Sequence, residues 1–256
     1  MSDLIYKPLI EDMTWSYSRV KAFTDCPYRW FLKYIKKLPE EKQFYSSYGS
    51  LVHDILARYY LGLLSKDELP ETFLFEYKKS VGGELPDEKV VRNYVNSAKN
   101  YLQNFRPLPY ETVAVEKRIG FEIDGVPFVC FIDHLGKTKD GFVITDHKSK
   151  SMKARSRRAK PTEGDKLLDD MLRQLYVYAA AVKQRYGEFP VKLCFNSFRT
   201  NRLIEEPFRL QAYHEALDWA KEQIEEIRNA EEFLPHPDFF SCRYICGVHQ
   251  QCCYYN

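Results

Sequence analysis

Acidic side chains stand at the ends of two apolar stretches near the middle of the chain. Asp133 ends the run Phe131-Ile132-Asp133, and Asp146 follows Ile144-Thr145. A core strand normally avoids such residues, because burying an unpaired carboxylate is costly. If the two strands pair side by side, these carboxylates converge. Together with the backbone carbonyl of His147, they offer the oxygen ligands that Mg²⁺ and Mn²⁺ prefer.

Three other kinds of side chain accompany the acids. Side chains alternate along a strand, so Lys148 shares a face with Asp146, roughly 6.6 Å further on. Its ammonium can orient a water and stabilise charge developing on a phosphate. Gln174 and Tyr178 lie four residues apart on one face of a predicted helix, where an amide suggests a hydrogen-bonding role. His53 is either structural or a nitrogen ligand that would favour Mn²⁺. Taken alone, the acids and Lys148 are better explained as strand-end acids that form a salt bridge with the lysine.

A basic run begins at this point of the sequence. From Lys148 to Lys160 the chain has seven basic residues and no acidic one. Such a run is either a solvated loop or a phosphate-binding track, and a track would make affinity fall steeply with salt. Beyond Lys148, its members are Lys150, Lys153, Arg155, Arg157, Arg158 and Lys160.

Four of the seven cysteines lie within the last fifteen residues. An odd count without a signal peptide argues against a disulfide framework, and clustered thiolates indicate metal ligation. Three tail cysteines need a fourth ligand, and Cys26, before Pro27, is the natural one. A cross-link from Cys26 to the tail would stabilise the fold by at most about 5 kcal/mol. The alternative is a tail that is merely cysteine-rich. Cys130 and Cys194, in apolar strand-like runs, are expected to be buried and inert.

Composition limits the kind of protein this can be. The chain has 256 residues, 38 basic and 36 acidic, so its net charge is only +2. A global polycation is excluded, and any nucleic-acid surface must be local. No stretch approaches the eighteen apolar residues of a membrane span, and the N-terminus lacks a signal-peptide core. We therefore expect a cytoplasmic protein without a membrane partner.

Hydrophobic periodicity predicts an α/β core behind a helical N-terminal layer. Helices are expected up to position 105, including 16–25, 50–64, 71–80 and 88–105, with a second short helix starting at Pro27. Strands are expected at 112–119, 121–135, 142–148 and 191–200, with hairpin turns at Asp124-Gly125 and Asp140-Gly141. Long helices are expected at 166–186 and 211–230. No linker divides this pattern, which favours one domain over residues 1–256.

Together these residues resemble the PD-(D/E)XK nuclease superfamily. More narrowly, they resemble RecB-type exonucleases that carry an iron–sulfur cluster, such as the AddB nuclease domain and the CRISPR adaptation nuclease. The resemblance extends from Ser16-x-Ser18 and Cys26-Pro27 to Cys252. It implies a restriction-endonuclease-like core, with a central mixed β-sheet flanked by helices. In this view a metal cluster joins the helical part, at about 14–105, to the cysteine-rich tail, 240–256.

The resemblance also implies residue roles. Asp133, Asp146 and His53 match the family's metal ligands, and Lys148 its catalytic lysine. Gln174 and Tyr178 match its Q-x-x-x-Y element, which helps to position DNA and the active site. The four cluster ligands would be Cys26, Cys242, Cys246 and Cys252. However, three residues separate Cys242 from Cys246, where the family usually has two. Cys253 could therefore replace Cys252, and zinc could replace a 4Fe–4S cluster.

The function expected from these features is metal-dependent DNA exonuclease activity in phage or bacterial recombination or repair. The cofactors would be Mg²⁺ or Mn²⁺ and the 4Fe–4S cluster, and the substrate would be DNA with a single-stranded end. A helicase or recombination protein would be its partner, because the sequence contains no helicase motif. Two alternatives stay open at this point: a non-catalytic DNA- or partner-binding module of the same fold, and a zinc-stapled interaction protein.

Overall fold

A computed structural model describes residues 6–255 of the chain. A helical N-terminal part precedes a β-sheet and the helices that cover it. None of the described helices is long and apolar enough to cross a membrane. The helices are α1 (Lys7–Glu11), α2 (Tyr17–Asp25), α3 (Pro27–Trp30), α4 (Phe44–Tyr60), α5 (Leu69–Ser80), α6 (Glu88–Gln103), α7 (Glu163–Tyr186), α8 (Leu210–Asn229) and α9 (Phe239–Tyr244); the strands are β1 (Glu111–Ile123), β2 (Val126–Thr138), β3 (Gly141–Lys148), β4 (Lys192–Ser197) and β5 (Arg202–Pro207).

The five strands form one mixed sheet in the order β1-β2-β3-β4-β5. Only β3 and β4 run parallel, because the long helix α7 returns the chain between them; the other pairs are antiparallel. The hairpin between β1 and β2 turns at Asp124 and Gly125, both with positive φ, as a two-residue turn of this hand requires. The expected mixed sheet flanked by helices is therefore confirmed.

Helices cover the sheet from both sides. On one side α7 crosses β1 to β4, and α8 packs against α7. A capping box of Thr162 and Asp165 starts α7, and Gly187, with φ 81°, ends it. A second apolar cluster joins α4, α5 and α6 through residues such as Leu56, Phe73 and Leu102. This is the helical N-terminal layer that the sequence predicts.

Among the differences from the expected secondary structure, two have a clear physical reason. Helix α4 spans Phe44–Tyr60 rather than 50–64, so it begins earlier and stops before Gly62, whose φ is 74°. The predicted order also lacks β5. That strand alternates poorly in hydrophobicity because Glu206 occupies one of its buried positions, where Arg155 neutralises the carboxylate. A buried ion pair of this kind hides the strand pattern.

Candidate metal and catalytic site

Two neighbouring strands bring the predicted acids together. The ladder between β2 and β3 pairs His134 with Thr145, and Asp133 and Asp146 are the next residues on either strand beyond this pair. There the regular ladder stops, and the backbone N–H of His147 donates instead to Oδ2 of Asp133, at 2.8 Å. Both acids lie on the sheet face that is opposite to the side chain of His134, because side chains alternate along a strand.

Glu116 is an acidic residue of this site that was not predicted from the sequence. It lies on β1 opposite Asp133, between the pairs Val115–His134 and Lys117–Ile132. Its φ is +46°, in the left-handed region, where a residue with a side chain is strained. The hairpin turn itself could have revealed it. Glu116 precedes Asp124 by as many residues as Asp133 follows Gly125, so a two-residue turn places them opposite each other.

His53 comes to the same place from the helical layer. Its Nδ1 lies 3.3 Å from Oδ2 of Asp133. One ligand atom each from His53, Glu116 and Asp133 lie within 4.8 Å of one another. Burial lowers the pKa of His53, which keeps its imidazole neutral and able to bind a metal. A cleft of about 560 Å³ opens beside these residues and is also lined by Lys148 and Ser149.

Lys148 and Gln174 form a polar network around Asp146. The Nζ atom of Lys148 lies 2.8 Å from Oδ2 of Asp146 and donates to Oε1 of Gln174, at 3.0 Å. The amide nitrogen of Gln174 donates to Oδ1 of Asp146, at 3.1 Å, and to the hydroxyl of Tyr178, at 2.9 Å. Gln174 thus fixes the acid and the lysine at once. The structure thus brings Gln174 and Tyr178 next to Asp146.

The carboxylates carry the signs of a site that a cation would complete. Burial, and then the charge of Asp146, raise the pKa of Asp133 well above its usual value. Burial and the charge of Asp146 also raise the pKa of Glu116. Neighbouring ligands of an octahedral Mg²⁺ stand roughly 3 Å apart, close to the His53–Asp133 spacing. His53, Glu116 and Asp133 therefore form a possible divalent metal site.

The side chain of His147 points away from the acids into the other side of the sheet. Its Nδ1 lies 2.9 Å from Nδ2 of Asn196 on β4, and burial lowers its pKa well below the usual value. Its backbone lies beside the acids, and its ring meets the ring of His53 edge to face.

The basic run divides into two parts. The guanidinium of Arg155 pairs with Asp169 and Glu206, and Ser156 donates twice to Asp165, so this part of the loop is fastened to α7 and β5. Arg155 is thus engaged in holding the fold. The other predicted members make no ion pair among the described residues and are exposed: Lys150, Lys153, Arg157, Arg158 and Lys160.

The four predicted cysteine ligands line one cavity. Cys26 lies between α2 and α3, and Cys242, Cys246 and Cys252 come from the tail. In the described residues their sulfurs do not form a close group of metal ligands. The tail is held by an apolar contact of Leu32 with Cys246 and Val248, and by a hydrogen bond from the backbone N–H of Glu41 to Gly247. Cys253 is exposed, with its sulfur 3.3 Å from the hydroxyl of Tyr28.

Cys130 and Cys194 are buried in the sheet, as expected. Burial raises the pKa of each thiol to about 12. At neutral pH both are protonated, so neither can act as a nucleophile or metal ligand without rearrangement.

Comparisons with known proteins agree with this geometry. The family model of the PD-(D/E)XK nuclease superfamily matches residues 14–253. A crystal structure from Eubacterium rectale, provisionally described as an exonuclease, has a TM-score of 0.54 at 16% identity and covers 98% of this chain and 90% of its own. The crystal structure of SSO0001 has a TM-score of 0.37 at 12% identity, covering 100% of this chain and 97% of its own. No curated protein matches significantly.

The chain belongs to the PD-(D/E)XK nuclease superfamily, since the family model covers nearly its whole length. The fold and a possible acidic metal site agree with that membership. Membership indicates a nucleic-acid substrate and phosphodiester hydrolysis.

Proposed function

We propose that this protein is a metal-dependent DNA exonuclease of the RecB type, acting in recombination or repair. The observation that carries the proposal is the meeting of Asp133, Glu116 and His53 beside the Asp146–Lys148 pair. A sheet interior has no structural need for so many ionisable groups at one place. A nuclease needs them, because a divalent ion must be held next to a cationic side chain.

The ion would be Mg²⁺ or Mn²⁺, held by Asp133, Asp146, His53 and the carbonyl of His147, with Glu116 as a further donor. When bound, it supplies a lowered pKa for water and a positive charge for the phosphate oxygens. Carboxylates favour either ion, and the nitrogen of His53 shifts the preference towards Mn²⁺.

Lys148 has the position of the catalytic lysine in this proposal. Its ammonium is held by Asp146 and Gln174, so it can direct hydrogen bonds towards a water and a phosphate oxygen without reorganising. Tyr178 keeps the Gln174 amide in place. Burial and the charge of Asp146 raise the pKa of Tyr178, so its hydroxyl stays protonated and serves only as a hydrogen-bonding group.

The exposed cations after β3 would bind the DNA backbone. Lys150 is two residues from Lys148, and its carbonyl accepts a hydrogen bond from Ser197, at 2.9 Å, so the track starts from a fixed point at the end of the sheet. Lys153, Arg157, Arg158 and Lys160 continue it. A helicase or recombination protein would provide the single-stranded end.

A 4Fe–4S cluster on Cys26, Cys242, Cys246 and Cys252 would join the helical part to the tail and make residues 1–256 one domain. These four residues line one cavity, whereas Cys253 is outside it. A cluster of four irons is larger than a single ion, so its sulfurs need not lie as close together as the ligands of one zinc. That chemistry favours iron–sulfur over zinc here.

An end-labelled DNA assay with Mn²⁺ tests the proposal. The wild type should release label from linear single- or double-stranded DNA and leave closed circular DNA intact. Asp146→Ala should be slower by at least about 1,000-fold, because several kcal/mol of transition-state stabilisation are lost. Asp140→Ala, in the exposed turn before β3, is the matched control and should cleave normally. A fully active Asp146→Ala protein would refute the site, and cleavage of circles would refute exonuclease action.

A further inference from the structure

A buried chain of hydrogen bonds runs behind the candidate metal site, on the opposite side of the sheet. Asn196 on β4 is 6% exposed. Its amide nitrogen donates to the hydroxyl of Tyr101, at 2.7 Å, and to Nδ1 of His147, at 2.9 Å. The amide has two N–H groups, so both are used. The chain thereby joins helix α6 to strands β4 and β3 in one buried network.

The end of this chain lies at the metal site. His147 contributes three contacts there. Its backbone N–H holds the Oδ2 atom of Asp133, its carbonyl is a proposed ligand, and its ring meets the ring of His53 edge to face, with centroids 5.6 Å apart. The ring of Phe198, just beyond β4, also contacts both His53 and Tyr101. Asn196 and Tyr101 themselves are separated from the acids by His147.

We propose that Asn196 and Tyr101 are positioning residues, which fix the peptide and ring of His147 and thereby set the spacing of His53 and Asp133 for the divalent ion. The inference rests on the proposed metal site. Its physical reason is that His53 comes from the helical layer and Asp133 from the sheet. Something rigid must hold these two layers in register, and a buried hydrogen-bonded network is more specific in direction than apolar packing.

Direct Mn²⁺ binding measures this role without relying on cleavage. Electron paramagnetic resonance of free Mn²⁺ gives the dissociation constant for the wild type, Asn196→Ala and Tyr101→Phe. Residues that orient metal ligands typically affect metal affinity by 10- to 100-fold. Asn196→Ala should weaken Mn²⁺ binding about 10-fold or more. Tyr101→Phe, which removes one oxygen atom and leaves the Asn196–His147 bond, should weaken it by severalfold.

Tyr110→Phe is the matched control. The hydroxyl of Tyr110 is hydrogen-bonded to Thr145, which lies on β3 two residues before His147, but it makes no contact with Asn196 or His147. This variant should bind Mn²⁺ within about twofold of the wild type, even if its melting temperature falls as far as that of Tyr101→Phe. The kinetic counterpart is a higher Mn²⁺ concentration for half-maximal cleavage in Tyr101→Phe, with most of the maximal rate regained at saturating Mn²⁺.

Equal Mn²⁺ affinity in Tyr101→Phe and Tyr110→Phe would overturn the positioning role and leave the metal site standing. Should Asn196→Ala fail to fold, the comparison of Tyr101→Phe with Tyr110→Phe still tests the positioning role. A wild type that binds no Mn²⁺ at all would instead refute the metal site, and the positioning role with it.

Discussion

The carboxylate site and the cysteine cavity differ in what holds their donors in place. At the first, regular structure and hydrogen bonds position every group: Asp133 by the backbone of His147, and Asp146 by Gln174. At the second, the tail is held to the N-terminal part by a small apolar contact, one backbone hydrogen bond and surface contacts such as the ion pair of Arg243 with Glu84. The protein itself therefore positions the carboxylate site, whereas the proposed cluster would add a further link between Cys26 and the tail.

The largest expected effect is that of replacing Lys148 in the carboxylate site. Lys148→Met should reduce cleavage by about 1,000-fold, because a positive charge held beside the proposed position of the reacting phosphate is lost. The fold and Mn²⁺ binding should remain, since hydrogen bonds to Asp133 and Asp146 from other residues persist. Single-turnover cleavage measures the rate, and Mn²⁺ titration measures whether metal binding is unchanged.

Lys150→Met is the control for this variant. Lys150 is an exposed cation two residues away and should contribute to DNA affinity only, so its maximal rate should stay within severalfold of wild type. A Lys148→Met protein with near-normal single-turnover rates would remove the catalytic role of that ammonium.

A substitution in the cysteine cavity should instead lower the stability of the protein. Cys246→Ser should destabilise the protein by about 3 kcal/mol, as a lost cross-link does, which corresponds to a fall in melting temperature of roughly 6–12 °C. Metal content measured on anaerobically purified protein should fall with it. Cys253→Ser, at the exposed neighbour, should leave both unchanged. Equal behaviour of the two variants would mean that the tail is not stapled by metal.

Glu116→Gln should have a smaller effect, on metal affinity alone. Removing one anionic donor from a site with several others should weaken Mn²⁺ binding by about 10-fold, or 1.4 kcal/mol. Glu122→Gln changes an exposed glutamate on the same strand and should leave Mn²⁺ binding as it is. If Glu116→Gln bound Mn²⁺ as tightly as the wild type, Glu116 would be only a neighbour of the site.

Much of the fold could be predicted from sequence, and the reasons are local. The turn residues Asp124-Gly125 and the apolar periodicity of α7 are strong short-range signals, and both regions are formed as expected. Strand β5 could not be found in this way, since the close partner of its buried Glu206 is Arg155, 51 residues earlier. Local sequence patterns therefore predict helices, strands and turns well, but they do not predict which distant residues contact each other.

The same limit applies to the site. Asp133, Asp146 and Lys148 stand out because charge interrupts apolar strands. Glu116 lies in a strand whose outer residues are mostly exposed and charged, so its type is unremarkable there. Only strand register shows that it faces Asp133. The contacts of Asn196 are hidden for a similar reason, because its two partners are 95 and 49 residues away in the chain.

The smallest expected effect separates the two parts of the basic loop. If Arg157 contacts a phosphate, Arg157→Ala should weaken DNA binding and reduce the slope of log affinity against log salt by about 0.7 for single strands. Arg155→Ala should leave that slope unchanged and lower the melting temperature, because the guanidinium of Arg155 is occupied by Asp169 and Glu206. Fluorescence anisotropy at several salt concentrations, with an inactive Asp146→Ala background to prevent cleavage, measures the slope for both variants.

A reduced slope in Arg155→Ala would instead mean that its ion pairs open to bind DNA. The loop would then act as a phosphate track along its whole length, and its attachment to α7 would be a feature of the DNA-free protein only.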